Sequence, residues 1–410
     1  MRLIRARLRR RAVAAVCLFM WLFDQSQAQG VTPTSKEISR HAVAVTQAGD
    51  AVLRDDGRVI GFSNKTGEGR EPVFIEGLAD IVDVAGESED GLGPNRPRGS
   101  AYWIALRRDG MVLQWDGHCA DEGIYNCRFA RARIVPGLRS VIAIASAGGT
   151  HLAIDSDGHV WGWGLDHDGL ITGQKGERDP SGRQISRVIK SPIRIPVPVP
   201  LKAIAVGFPH SIGIDREGNV WLWGGKAQPE YQPERTEIFT DGKFVARKVV
   251  GIPPAQSAAA DGRTFVVTDA GELWSWGITK LDAAPPNGTR APHKIEGLCA
   301  VKSVSSGSAM AATVCKDGAL YKMVFPSTPS VSGDRPCETC SPITEERWDR
   351  ESSMKDVEVL HLAFFPSNAS VSIIDRSGAV YFGPFSDPRV FLPPRERIVG
   401  PVTIDPQGRK

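Results

Sequence analysis

The stretch SAGGTHLAIDSDGHVWGWG, residues 146–164, decides the fold. An apolar strand from Leu152 to Ile154 runs into the turn Asp155-Ser156-Asp157-Gly158, and a second apolar strand leaves it through Trp161 and Trp163. Glycine without a Cβ supplies the positive φ that a tight hairpin turn demands. Alternation on both sides of the turn is the signature of half-buried strands. Trp161 and Trp163 are two residues apart and so share one face of their strand, where large indoles serve as packing pieces between sheets.

The same pattern occurs seven times: AVLRDDGRVIGF (51–62), IALRRDGMVLQW (104–115), the stretch above, IGIDREGNVWLWG (212–224), FVVTDAGELWSWG (265–277), ATVCKDGALYKM (312–323) and VSIIDRSGAVYFG (371–383). The turn glycines Gly57, Gly110, Gly158, Gly218, Gly271, Gly318 and Gly378 stand 53, 48, 60, 53, 47 and 60 residues apart. Such regularity means one structural unit repeated. A further apolar strand precedes most hairpins, as in VIAIASAG and VKSVSSG, and a fourth, often holding proline, follows them, as in EPVFIEGL and APHKIEGL. Proline in the last strand fits an edge with spare N–H groups. The expected fold is all-β, a seven-bladed β-propeller of four-stranded antiparallel blades, whose closure hides the sheet edges. A β-solenoid has a much shorter period.

The units resemble the repeat of the regulator of chromosome condensation family. Residues 146–164 carry that family's order of glycine, histidine, aliphatic strand, DG turn and aromatic strand, and VGFPHSIGIDREGNVWLWG, residues 206–224, follows it. Units one, six and seven lack the tryptophan pair, and GLDHDGLITG only echoes the family's loop after that strand. The resemblance implies a seven-bladed propeller. The family includes nucleotide-exchange factors for small GTPases and secreted bacterial propellers that inhibit β-lactamases; the export signal described next fits a divergent, secreted bacterial-type member.

The chain opens MRLIRARLRRRAVAAVCLFMWLFDQSQAQG, cationic from Arg2 to Arg11 and apolar from Ala12 to Phe23, the n- and h-regions of a signal peptide. Cleavage is expected after Ala28, leaving residues 29–410 as the propeller in the periplasm or outside the cell. The apolar run is shorter than the about 20 residues a membrane-spanning helix needs, and no later segment is apolar enough to span. Removal of residues 1–28 leaves 44 basic against 46 acidic residues, in place of the +3 of the full chain. A nearly neutral surface with no later run of Lys and Arg gives no electrostatic reason to expect nucleic acid as a partner.

Export changes the reading of cysteine. Beyond Cys17 there are six, compatible with three disulfides. Cys299 and Cys315 lie symmetrically about Gly307, so a hairpin centred there sets them opposite each other. Cys119 and Cys127 bracket a loop carrying His118 and Tyr125 beside Trp115; a bridge there either presents a binding loop or merely restrains an insertion. Cys337 and Cys340 form a CxxC in a polar insertion, residues 326–356, open to redox, zinc and simple disulfide readings.

No HExxH, GxSxG or phosphate-binding glycine loop is present, so no catalytic residue, cofactor or metal ligand is assigned. His151 and His210 recur at one repeat position, which points to a structural hydrogen bond within the blade. Asp166, His167 and Asp168, in the loop after the third unit, offer a cation site or a solvated turn. Uneven loops at 86–100, 165–190, 225–245 and 326–356 suit recognition on a rigid scaffold. The expectation is a monomeric binding module that meets a protein partner as an inhibitor or envelope adaptor. A secreted lyase or hydrolase using the central channel, and an exchange factor, are the alternatives.

Overall fold

A computed structural model describes residues 42–45, 51–63, 71–88, 100–119, 127–166, 169–174, 177–178, 184–185, 187–207, 210–224, 246–261, 263–277, 292–307, 310–324, 347–362, 370–384 and 389–392. The expected signal peptide lies outside them.

Among the described residues seven antiparallel blade sheets follow one another along the chain, and a small two-stranded sheet, Glu177–Arg178 with Gln184–Ile185, lies within the connection between the third and fourth strands of blade 3. Blade 3 is typical: Val141–Ala147, Thr150–Asp155, Val160–Asp166 and Arg187–Ile195 pair in that order from the innermost strand outward. Blade 2 is larger, with strands Ile81–Ser88, Ser100–Arg107 and Val112–Cys119, and with Cys127–Phe129 and Arg133–Ile134 both pairing to the third strand. This is the expected seven-bladed propeller. Within the proposed insertion, Arg347–Glu351 pairs with Leu320–Val324 as the outermost strand of blade 6. The insertion is therefore narrower than 326–356, because the strand's charged sequence RWDRE concealed it.

Burial shows why the blades stack. The second strands are buried along almost their whole length, as in Ser211–Asp215 and Arg263–Thr268, rather than alternating. A strand covered by a neighbouring blade on each face has no solvent side. Seven apolar clusters occupy the seven interfaces. Leu152, Ile154 and Val160 of blade 3 meet Leu201, Val206 and Trp223 of blade 4. The ring closes without a shared strand: Val52 and Ile60 of blade 1 pack with Ile374 and Val380 of blade 7. The tryptophan pairs do as the sequence suggests, Trp163, Trp223 and Trp276 entering the interface with the preceding blade.

The hairpin turns add polar links. In blade 3 Asp155 takes the backbone N–H groups of Asp157 and His159 on Oδ1, and the indole N–H of Trp161 on Oδ2 at 2.9 Å. Asp215 with Trp221, and Asp375 with the Tyr381 hydroxyl, repeat the device. Cys315 holds the same place in blade 6, where it is bridged to Cys299 as expected, with Cα atoms 5.9 Å apart. Six of the seven turns also dock on the next blade: the Gly158 carbonyl accepts the Leu201 N–H at 2.9 Å, and Gly57, Gly110, Gly218, Gly271 and Gly318 do the same to the first residue of the following innermost strand. Every innermost strand carries a register shift between its first and third residues, as at Val141 and Ala143. A bulge there bends the strand just where it leaves this docking contact.

Candidate interaction face

The order of strands sorts the connections between two faces. The turns from second to third strand each hold four residues, at 55–58, 108–111, 156–159, 216–219, 269–272, 316–319 and 376–379. At the opposite end lie the connections from third to fourth strand, which run from four residues (385–388) to 23 (224–246), together with those from first to second strand. One face is thus uniform and fixed to the blades by hydrogen bonds. The other carries most of the length of the uneven segments that the sequence marked for recognition, the part 352–356 of the last one excepted.

The strands of blade 2 project furthest toward the uneven face. Its second and third strands stay paired to Ser100 opposite His118, and Cys119 stands directly opposite Cys127 in the register. The side chains of both cysteines lie outside the described residues. Trp115 is corrected: it is 1% exposed, stacked on Trp103 at 5.9 Å in the interface of blades 1 and 2, and no partner can reach it. The side chain of His118 and the whole of Tyr125 lie outside the described residues, as do His167, Asp168, Cys337 and Cys340.

Asp166 is also relocated. It is 2% exposed, and its carboxylate accepts the N–H groups of Ile171 and Thr172 and the Thr172 hydroxyl. Neither a cation site nor a solvated turn, it pins a turn at 169–173 whose Leu170 and Ile171 plug the core between blades 3 and 4. The Leu170 carbonyl in turn accepts the Trp223 indole N–H at 3.1 Å. Sequence reasoning missed this because the acid stands next to charged neighbours, while its buried partners follow four to six residues later.

His151 makes the expected hydrogen bond within its blade, whereas the partner of His210 belongs to the next blade, out of reach of a reading confined to one repeat unit. The His151 Nδ1 meets the Ser146 hydroxyl at 2.8 Å. His210 is fully buried, and its Nε2 meets the Thr264 hydroxyl of blade 5 at 2.8 Å. Burial pushes the His210 pKa down to about 4 from the usual 6.5. A neutral imidazole in the fold and an ordinary one in the unfolded chain make the unfolded state the better proton binder between those values. The His210 contribution is therefore complete above pH 6.5 and is lost as pH falls toward 4. At pH 5 the loss is about 2 kcal/mol relative to pH 7.5. Urea titrations at both pH values should show a larger acid shift in the natural chain than in His210→Gln; equal shifts would refute the assignment. The difference measurement is needed because Asp83, pushed up to about 6 by burial, works in the opposite direction.

Two places in the propeller gather titratable groups. Asp155, Asp157 and His159 bring ligand atoms within 4.8 Å of one another on the uniform face, but the Asp155 carboxylate is already engaged by the turn and the Trp161 indole. The innermost strands offer small side chains at half-buried positions, Ala143, Ala145, Ala147, Ala203 and Ala205; among the side chains described there the titratable groups are Asp83 in blade 2 and His361 in blade 7, besides Lys202 and the pair Lys302 and Glu358 near the exposed ends.

No family model matches the chain. Residues of the human E3 ubiquitin-protein ligase HERC2 align at 29% identity over 260 residues, 61% of this chain and 5% of the ligase. The mouse regulator of chromosome condensation aligns at 22% over 327 residues, 72% of each. Among solved structures, a chain from Kap60 bound to yeast RCC1 (Prp20) superposes with a TM-score of 0.56 and 16% identity, covering 88% of this chain and 86% of that one. Prp20p from Saccharomyces cerevisiae gives 0.51 and 17%, covering 77% and 78%.

The chain is similar to RCC1-like propellers.

The structural likenesses show the fold. The chain spans about one-twentieth of the length of the first of these relatives, and no more than its propeller architecture is carried by the match. Among the described residues no helix is long and apolar enough to cross a membrane.

Proposed function

We propose that this chain is an exported protein-binding propeller that engages its partner through the face bearing the uneven connections. The observation that carries this reading is the segregation of lengths: seven four-residue turns and links of five or six residues between blades at one end, and connections of one to 23 residues at the other. Loops held by a rigid scaffold can vary without disturbing the core that supports them. The similar yeast protein is described by its binding to Gsp1p and histones, and in complex with Kap60, which supports a protein as the partner class. The signal-like residues 1–28 favour an inhibitor or envelope adaptor over an exchange factor for a cytosolic GTPase.

The test is affinity capture from the exported fraction with the full propeller, against variants in which 225–245 or 326–346 is replaced by a short Gly-Ser linker. Loss of the captured protein in at least one variant, with an unchanged urea midpoint, is expected. Capture that survives every replacement on this face, or no partner at all, overturns the reading. Sequencing of the exported protein should begin at Gln29.

A further inference from the structure

We infer that the outer rim of blades 2, 3 and 4 is a second docking surface, for an acidic polypeptide that also carries aliphatic side chains. This goes beyond the loop-face reading and uses different residues.

The cations come from three separate outermost regions. Residues 127–135 of blade 2, Arg187–Ile195 of blade 3 and residues 246–250 of blade 4 contain no aspartate or glutamate. Arg131, Arg133, Arg187, Lys190, Arg194 and Lys248 stand exposed on them. Compensation is thin. Arg131 meets Glu76 at 3.4 Å with both side chains more than 70% exposed, Asp116 lies close enough to Arg133 to feel its charge, and Arg187 donates to the neutral Gln174. Lys190, Arg194 and Lys248 make no ion pair with a described residue. Elsewhere on the described rim several cations are paired: in blade 6 Arg347 with Asp349 and Lys322 with Glu351, and in blade 5 Lys294 with Glu272.

The apolar exposure falls in the same place. Ile134 is 49% exposed, Val188 56%, Ile193 39% and Val250 70%, four of the six large aliphatics exposed among the described residues. Nucleic acid has phosphates for the cations but nothing aliphatic for these side chains. A bilayer has both, yet it is flat, whereas this rim spreads over three successive blades of a ring and is convex. An extended acidic chain can follow that curve. It need not pair with the strand backbone. The register between Val160–Asp166 and Arg187–Ile195 is broken between Gly162 and Gly164, opposite a stretch containing Pro192, and such a bulge with proline blunts an edge against strand addition. Recognition then rests on side chains, and like charge discourages two copies from meeting edge to edge.

The experiment uses the full propeller and fluorescence anisotropy of a short fluorescein-labelled peptide alternating Glu with Val. Binding is expected to weaken steeply with salt and to fall at least about tenfold in Lys190→Glu/Arg194→Glu/Lys248→Glu, while Arg347→Gln/Arg350→Gln leaves it unchanged. The triple variant should keep the natural urea midpoint, since all three side chains are exposed. Equal binding by the triple variant, equal binding of a Lys-Val peptide, or tighter binding through the same residues to phosphatidylglycerol vesicles or to an oligonucleotide overturns the inference. Linker replacement of 225–245 or 326–346 should leave peptide binding intact, so this result and that of the loop-face test are independent.

Discussion

Gly158→Ala is expected to destabilise the propeller by about 3 kcal/mol, and Gly137→Ala by only about 1 kcal/mol. Both glycines have left-handed backbones, φ +88° and φ +87°, so both substitutions carry the same conformational cost. They differ in what a Cβ would meet. At Gly137 there is nothing within 4 Å; at Gly158 the added carbon would lie 2.6 Å from the Pro200 Cβ and 2.9 Å from the Leu201 nitrogen. Those atoms belong to the start of blade 4, and relief of the clash requires the Gly158 to Leu201 hydrogen bond to lengthen. The difference in urea midpoints of the two variants isolates the inter-blade part. Equal shifts would show that the turn glycines serve only their own hairpins.

Trp223→Ala is expected to cost about 3 to 5 kcal/mol, the range for truncating a fully buried aromatic side chain. The indole is 0% exposed, packs with Leu152, Ile154, Leu170, Ile171 and Leu201, and donates to the Leu170 carbonyl. Its removal opens a void between blades 3 and 4 and leaves that carbonyl without its donor. Gly213 on the neighbouring strand makes the room, since a Cβ there would fall 3.0 Å from the ring. Collapse of the surroundings into the void is limited because Leu170 and Ile171 are fixed by Asp166. Trp223→Phe keeps most of the ring and should lose about 1 kcal/mol with the hydrogen bond. Equilibrium unfolding of both variants checks this; a Trp223→Ala loss no larger than that of Trp223→Phe would mean that the interface repacks freely.

The blades were legible because their rules are local. A turn glycine every 47 to 60 residues, with apolar strands on each side, describes a hairpin without reference to anything else in the chain. The pairing of Cys299 with Cys315 was legible for the same reason, as two points equidistant from one turn. Where local signals mislead, the cause is a neighbour from another blade. Trp115 read as the aromatic flank of a stapled loop, and its burial comes from Trp103 and the face of blade 1. Asp166 read as one of an acid pair in solvent, and its donors are Ile171 and Thr172, in the turn that fills the next interface. The strand Arg347–Glu351 looked like insertion because four of its five residues are charged, which an edge strand tolerates.

The amino-acid sequence by itself determined the number of blades, the hairpin at the centre of each and the indoles between them, because each depends on residues within a single unit. Only the tertiary structure decided which face holds the uneven segments, how each turn grips the following blade, and that six cations from three distant stretches share one rim. Those properties depend on distances between units, and a ring brings together residues that the order of the chain keeps about 50 to 60 positions apart.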